Sequence, residues 1–219
     1  MHELPKLLEV MLTLVTLLLT IAVHEFAHAF AAYKLGDDTA ARQGRLTLNP
    51  FVHADPLGTL LLPAVGTAAG SGYFGWGKPV PYLPVRLSRR FSMRAGEAIV
   101  AFAGPFSNLV MAILCGGLWV GLSRFGLLAP ESPFYLLLSR LLPLNVSLFL
   151  FNLIPVPPLD GSKVFGWLIG PRSDRTLDSL ANLGPLAFLP VIFFGGGIIG
   201  PFARDLTMAI IRAFSALLA

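Results

Sequence analysis

Two histidines four residues apart, His24 and His28, with Glu25 beside the first, give the chain the pattern H-E-x-x-H. On a helix this spacing turns both imidazoles to one face, where they can bind a single Zn²⁺. It sets the carboxylate about a quarter turn away, placed to take a proton from an activated water and not to bind the metal. The pattern alone is moderately specific, and its surroundings sharpen it. Val10 to Val23 is an uncharged apolar run, so three ionisable groups arrive near membrane depth. Such groups cost about 2.5–3.5 kcal/mol each on insertion scales and by default mark a functional site. A helix end whose His and Glu are simply solvated is the weaker reading.

A zinc held this way needs a third protein ligand, the fourth position staying open for catalysis. His2, His53, Glu97 and Asp160 are the candidates. Asp160 is the best placed, at the end of an apolar segment and just after Asn152-Leu153-Ile154-Pro155-Val156-Pro157-Pro158-Leu159. The three prolines forbid a regular helix there and free backbone groups to face a site. Read locally, however, Asp160-Gly161 is a plain turn leaving the membrane. His53 lies on a loop and is expected near the site as a substrate- or transition-state-contacting group, not as a metal ligand.

The elements that must position these residues are membrane helices. At 55% hydrophobic, 13% charged and a mean hydropathy of +0.73, the chain lies far from soluble proteins, where about 25% charged is usual. We expect an all-α polytopic membrane protein forming one membrane-embedded domain over 1–219, with a core at about 7–165 and C-terminal helices at about 180–219. The single Cys115 excludes a disulfide framework and a Cys-based zinc site. The net charge of +4 comes from Lys and Arg gathered in loops, a topology signal and not a nucleic-acid footprint. The N-terminal apolar run continues into the His/Glu motif without a small-residue cleavage site, unlike a signal peptide.

Three further segments are long enough to span: Ala98–Ser123, Leu141–Leu159 (preceded by Phe134–Leu138), and Leu183–Ala203. Prolines and Gly195-Gly196-Gly197 suggest that the last is kinked or in two pieces. Leu206–Ala219, with Arg212 in its middle, reads as a final span or an interfacial helix. Residues 33–94 carry Lys34, Arg42, Arg45, Lys78, Arg86, Arg89, Arg90 and Arg94 against Asp37, Asp38 and Asp55, which places them on the cytoplasmic side. Within them Gly44–Pro50 alternates polar and apolar and predicts a short strand closed by a turn. Phe74–Pro81 reads as a rigid extended loop with an interfacial tryptophan. Leu57–Ala69 is apolar but short and broken by Pro63. For His28 and Asp160 to meet one metal, both must leave the membrane on the same side. Ala98–Ser123 followed by Phe134–Leu159 satisfies that parity only if Leu57–Ala69 does not cross, so that segment is expected to be re-entrant.

Taken together, His24-Glu25-Phe26-Ala27-His28 in one span and Asn152 to Gly161 in a later one resemble the site-2 protease family of intramembrane zinc metalloproteases, patterned H-E-x-x-H and N-x-x-P-x-P-x-x-D-G. Leu48-Asn49-Pro50 with His53-x-Asp55-Pro56, Phe74-Gly75-Trp76-Gly77-Lys78-Pro79-Val80-Pro81, and Ala103-Gly104-Pro105-x-Ser107-Asn108 extend the match over roughly residues 20–165. The resemblance is to the compact members without PDZ or CBS domains. It implies His24, His28 and Asp160 as ligands of one Zn²⁺, Glu25 as catalytic acid/base, and Asn152 as an oxyanion- or substrate-contacting residue. It also implies cleavage in or near the transmembrane segments of membrane proteins, in a prokaryotic plasma membrane with the site open to the cytoplasm. The strand-like Arg45–Leu48 is expected to offer an edge to an unwound substrate. The rival is a metal or ion transporter using the same His, Glu and Asp as transport ligands. It predicts internal repeats and polar ligands scattered along a path, and the sequence has neither.

Overall fold

The computed structural model describes residues 5–70, 75–130 and 132–218; His2, Phe74 and Glu131 lie outside them. Helix α1, Lys6–Lys34, runs about 44 Å at 1.5 Å per residue, enough to cross a bilayer with a turn or more to spare. Its outer side presents Leu7, Met11, Val15 and Leu19 at four-residue spacing, all exposed, as a lipid-facing stripe should be. Two short helices follow, α2 (Thr39–Arg42) and α3 (Pro50–His53). The buried Asp37 staples this region together, accepting from Thr39 N and its hydroxyl and, far along the chain, from Leu83 N. Asn49 caps α3 through Phe51 N at 3.1 Å, with Pro50 preset at the first position.

A π-type turn, Pro56–Leu61, leads into α4, Leu62–Ala69, which packs along α1. Asp55 starts this unit by accepting from Leu57 N and Gly58 N, and Gly70 ends it at φ 71°. The excursion reaches Lys6 at the start of α1, where Gly70 lies against the lysine Nζ. It then comes back: Trp76 N donates to Gly58 O at 3.2 Å and Thr59 Oγ1 donates to Trp76 O at 2.7 Å. Both ends of 56–76 therefore meet at one level. Gly58 is required there, because a Cβ would overlap the Trp76 indole. The segment doubles back on itself, the path expected of a re-entrant element.

Among the described residues, helices α5 (Met93–Arg124) and α6 (Pro133–Asn152) complete, with α1, three helices long and apolar enough to span a membrane. Ser92 and Ser132 cap them through Ala95 N and Tyr135 N. The second of the expected spans is displaced: it takes in Phe134–Leu138 and stops at Asn152 instead of running to Leu159. Pro155 disfavours helical backbone at Ile154, and the chain turns before it. After a loop at 153–159 come α7 (Asp160–Ile169), α8 (Asp174–Asn182) and α9 (Pro185–Leu217). Helix α9 replaces the two C-terminal pieces. Pro190 and Pro201 each delete one ladder bond without ending the helix, and Arg212 is exposed on it. Ala112, Leu142, Val146, Ala203 and Ile210 form the core where α5, α6 and α9 meet. Cys115 is buried against Leu128, Leu138 and Leu141.

The described residues contain no strand. Ala54 and Gly77 make an isolated antiparallel bridge, and residues 45–49 are irregular. The alternation there has another cause: Arg45 turns inward to carbonyls, and Leu46 packs on Ala29, Ala40 and Val80. With Cys115 replaced by serine, cysteines at Gln43 and Lys78, both exposed positions flanking the excursion, should label from the same side of the membrane. Labelling from opposite sides would exclude a re-entrant 56–76.

Candidate metal centre

His24 and His28 stand one turn apart on α1, their rings edge to face with centroids 4.6 Å apart. Their Nε2 atoms are 3.0 Å apart, and Asp160 Oδ2 lies 3.3 Å from His24 Nε2 and 3.4 Å from His28 Nε2. Four ligands at the 2.0–2.1 Å typical of zinc stand about 3.3–3.4 Å from one another along the edges of a tetrahedron. The triangle of imidazole, imidazole and carboxylate is thus one face of a zinc-sized tetrahedron, and these residues fit the metal.

Tautomer chemistry agrees. His28 Nδ1 is 2.7 Å from Val100 O on α5; a carbonyl can only accept, so Nδ1 carries the proton and the Nε2 lone pair faces Asp160. Gly104, one turn further along α5, lets that helix lie against the imidazoles. A Cβ there would overlap His28 Nε2 and His24 Cε1. Asp160 is the first residue of α7, where a helix N-terminus favours a carboxylate. Gly161 beside it crosses the end of α6 so closely that a Cβ would overlap the Leu153 carbonyl. The Asp-Gly pair therefore does two jobs: one residue faces the histidines and the other permits the crossing that brings it there.

Glu25 faces a different support. Its Oε2 accepts from Val80 N at 2.9 Å, and its Oε1 lies 3.6 Å from the position a Cβ would take on Gly77. The Lys78–Val80 segment is in turn held by Arg45, whose guanidinium donates to the carbonyls of Lys78 and Pro79. Lys78 N also donates to His53 O at 2.8 Å. Val80, Arg45, Val100 and Gly104 are participants that residue chemistry alone did not single out. Their contributions are backbone atoms, a hidden cation and an absent side chain, although Gly104 and Val80 fall inside quoted motifs.

The other expected residues stand as follows. His53 is fully buried, its Nε2 donating to Thr47 O at 2.8 Å, and burial, helped by the Arg45 charge, lowers its pKa below the ordinary imidazole value. The Asn152 amide is turned back on α6, Nδ2 donating to Leu148 O at 3.0 Å. Glu97 is paired with Lys163 at 3.1 Å and takes no part in the His–His–Asp cluster.

The chain is 38% identical over 211 residues to a candidate zinc metalloprotease, YwhC, of Bacillus subtilis, a match covering 93% of this chain and 90% of that one. It is 33% identical over 160 residues to the candidate zinc metalloprotease Rip2 of Mycolicibacterium smegmatis, covering 73% of this chain and 58% of that one. Against Rip2 of Mycobacterium tuberculosis it is 30% identical over 185 residues, covering 84% and 67%. No family model and no solved structure matches the chain.

Gly104→Ala tests the packing of α5 on the imidazoles. In an open helix this change stabilises by about 1 kcal/mol. Here the added methyl should reduce zinc retention by about 10-fold or more, the scale of a disturbed ligand shell, while circular dichroism shows full helix content. Unchanged zinc binding would place α5 farther from the site.

Proposed function

Because the chain belongs to the site-2 protease family of zinc metalloproteases, we propose that it hydrolyses peptide bonds in or beside the transmembrane segments of other membrane proteins. The observation that carries the reading is the convergence of His24, His28 and Asp160 next to Glu25, on a helix of membrane-spanning length. In this reading those three residues hold one zinc and residues 7–165 form the catalytic core of a single membrane-embedded unit. The site opens to the cytoplasm of a prokaryotic cell, on the side of the Lys- and Arg-rich residues 33–94.

Bound there, zinc would supply Lewis acidity for a water and for the scissile carbonyl. The protein's own residues do the rest. Val80 N–H holds one oxygen of Glu25, leaving the other to take a proton from the attacking water. Glu25 then gives that proton to the leaving amine, so the carboxylate is regenerated as the peptide C–N bond breaks. His28 is oriented by its bond to the Val100 carbonyl and keeps its lone pair on the site. Asn152, at the end of α6, would release Leu148 O to reach a bound carbonyl as oxyanion donor. The buried His53 imidazole acts from behind the Lys78–Val80 segment, where its Nε2 donates to Thr47 O and so holds the loop in place. A helical substrate hides its carbonyls in its own ladder, so it must unwind locally before attack.

In lipid-reconstituted protein, Glu25→Gln should lower cleavage of a model transmembrane peptide by about 10²–10⁴-fold, the usual contribution of acid–base catalysis, with zinc content unchanged. Asp160→Ala should lower zinc affinity by more than the roughly 10–100-fold that loss of an outer-shell partner produces. Full zinc retention in Asp160→Ala, or full turnover in Glu25→Gln, would overturn the assignment. His53→Ala should slow turnover while zinc stays bound; turnover equal to the parent's would leave His53 a core residue only.

A further inference from the structure

Beside the proposed zinc site, the bundle buries amides that the reaction does not use. Asn108 in mid-α5 and Asn145 in mid-α6 are both 0% exposed. Asn145 is half satisfied: its Nδ2 donates to Leu141 O at 2.8 Å and to Thr20 Oγ1 on α1 at 3.1 Å, and its Oδ1 has no protein partner. Among the described residues Asn108 has none on Oδ1 or Nδ2, and His24 Nδ1 is buried without one as well.

Helix register brings these atoms to one level. Val100 of α5 meets His28, and Gly104 meets both His28 and His24, so α5 runs antiparallel to α1. Asn108 is one turn beyond Gly104 on the same face, which sets it opposite the turn of α1 between His24 and Thr20. Asn145 reaches that same turn from α6 through Thr20. The His24 side chain leans toward the N-terminal turn of its helix, that is, toward Thr20. Its Nδ1 is the ring nitrogen not engaged with His28 and Asp160.

Buried polar groups are almost always partnered, by protein or by ordered water. A ligating imidazole has its own demand, because its far N–H needs an acceptor that fixes the ring. His28 meets this demand with a carbonyl; His24 has no acceptor among the described residues. The four unpartnered atoms comprise two donors, His24 Nδ1–H and Asn108 Nδ2, and two acceptors, Asn108 Oδ1 and Asn145 Oδ1. A cation would be repelled by the donors and an anion by the acceptors. Water, which gives two hydrogen bonds and takes two, suits all four.

We propose that Asn108 and Asn145 hold ordered water beside the zinc site, and that this water accepts the Nδ1–H of His24, making Asn108 a positioning residue for a zinc ligand. The proposal rests on the zinc reading above, but the two fail separately. A parent protein that binds no zinc sinks that reading; a parent that binds zinc with Asn108→Leu indistinguishable from it sinks only this one.

The test uses the full chain in detergent micelles, with Zn²⁺ affinity read by chelator competition and ligand geometry by the visible absorption of bound Co²⁺. Asn108→Leu should weaken zinc binding by about 10–100-fold, as outer-shell losses do, and shift the Co²⁺ bands. Asn108→Asp, isosteric and still an acceptor, should keep both near the parent. Parent-like affinity and bands in Asn108→Leu would overturn the proposal. A third measurement needs no variant and covers the case in which Asn108→Leu does not fold. In ¹⁵N-histidine-labelled parent protein in lipid, the Nδ1–H of His24 should show a solid-state NMR cross-peak to water. A His24 Nδ1–H without water contact would also overturn the proposal.

Discussion

The fold depends on one electrostatic encounter: a carboxylate at the start of α7, just past the third span, meets two imidazoles from the first. Ionisable groups at hydrocarbon depth are tolerated only when they answer one another or a metal. Asp160 answers both histidines with a single oxygen, Oδ2, within 3.4 Å of each. That encounter dictates topology. It requires the chain to cross out and back between His28 and Asp160, and α5 and α6 supply the two crossings. The excursion at 56–76 adds no third, because its ends are bonded to each other.

Around the encounter, backbone atoms do much of the positioning. Val100 O orients His28, Val80 N holds Glu25, and Arg45 braces the carbonyls before Val80. Asp37 ties the end of α1 to the far end of the same loop through Leu83 N. The loop over the site is thus fixed by side chains reaching to main-chain groups. Such bonds place the loop without asking for particular side chains on it, apart from glycines where backbones touch.

This division explains what could be read in the sequence. His24, Glu25, His28 and the three long helices were legible because ligand spacing and apolar runs are local properties of side chains. The doubling back of the chain around 57–69 was legible from its short length and from Pro63. Arg45–Leu48 misled because alternation signals a strand only where backbones pair; here the Arg45 guanidinium, not a strand backbone, takes the carbonyls of Lys78 and Pro79. The merging of the C-terminal pieces into α9 was hidden because each proline, Pro190 and Pro201, deletes one ladder bond without ending the helix. The hold of Val80 on Glu25 left no residue-type signal, since any residue but proline offers that amide.

The separation between the two halves of the cluster has a consequence for biogenesis. Asp160 follows His28 by 132 residues, 160 minus 28. While the first span is being inserted, its imidazoles lack their carboxylate, and His28 lacks the α5 carbonyl that fixes its tautomer. The centre cannot exist on a ribosome-bound chain that has yet to emerge past α6. If the proposed zinc site is the catalytic one, hydrolytic competence is acquired late, only once α7 has been made.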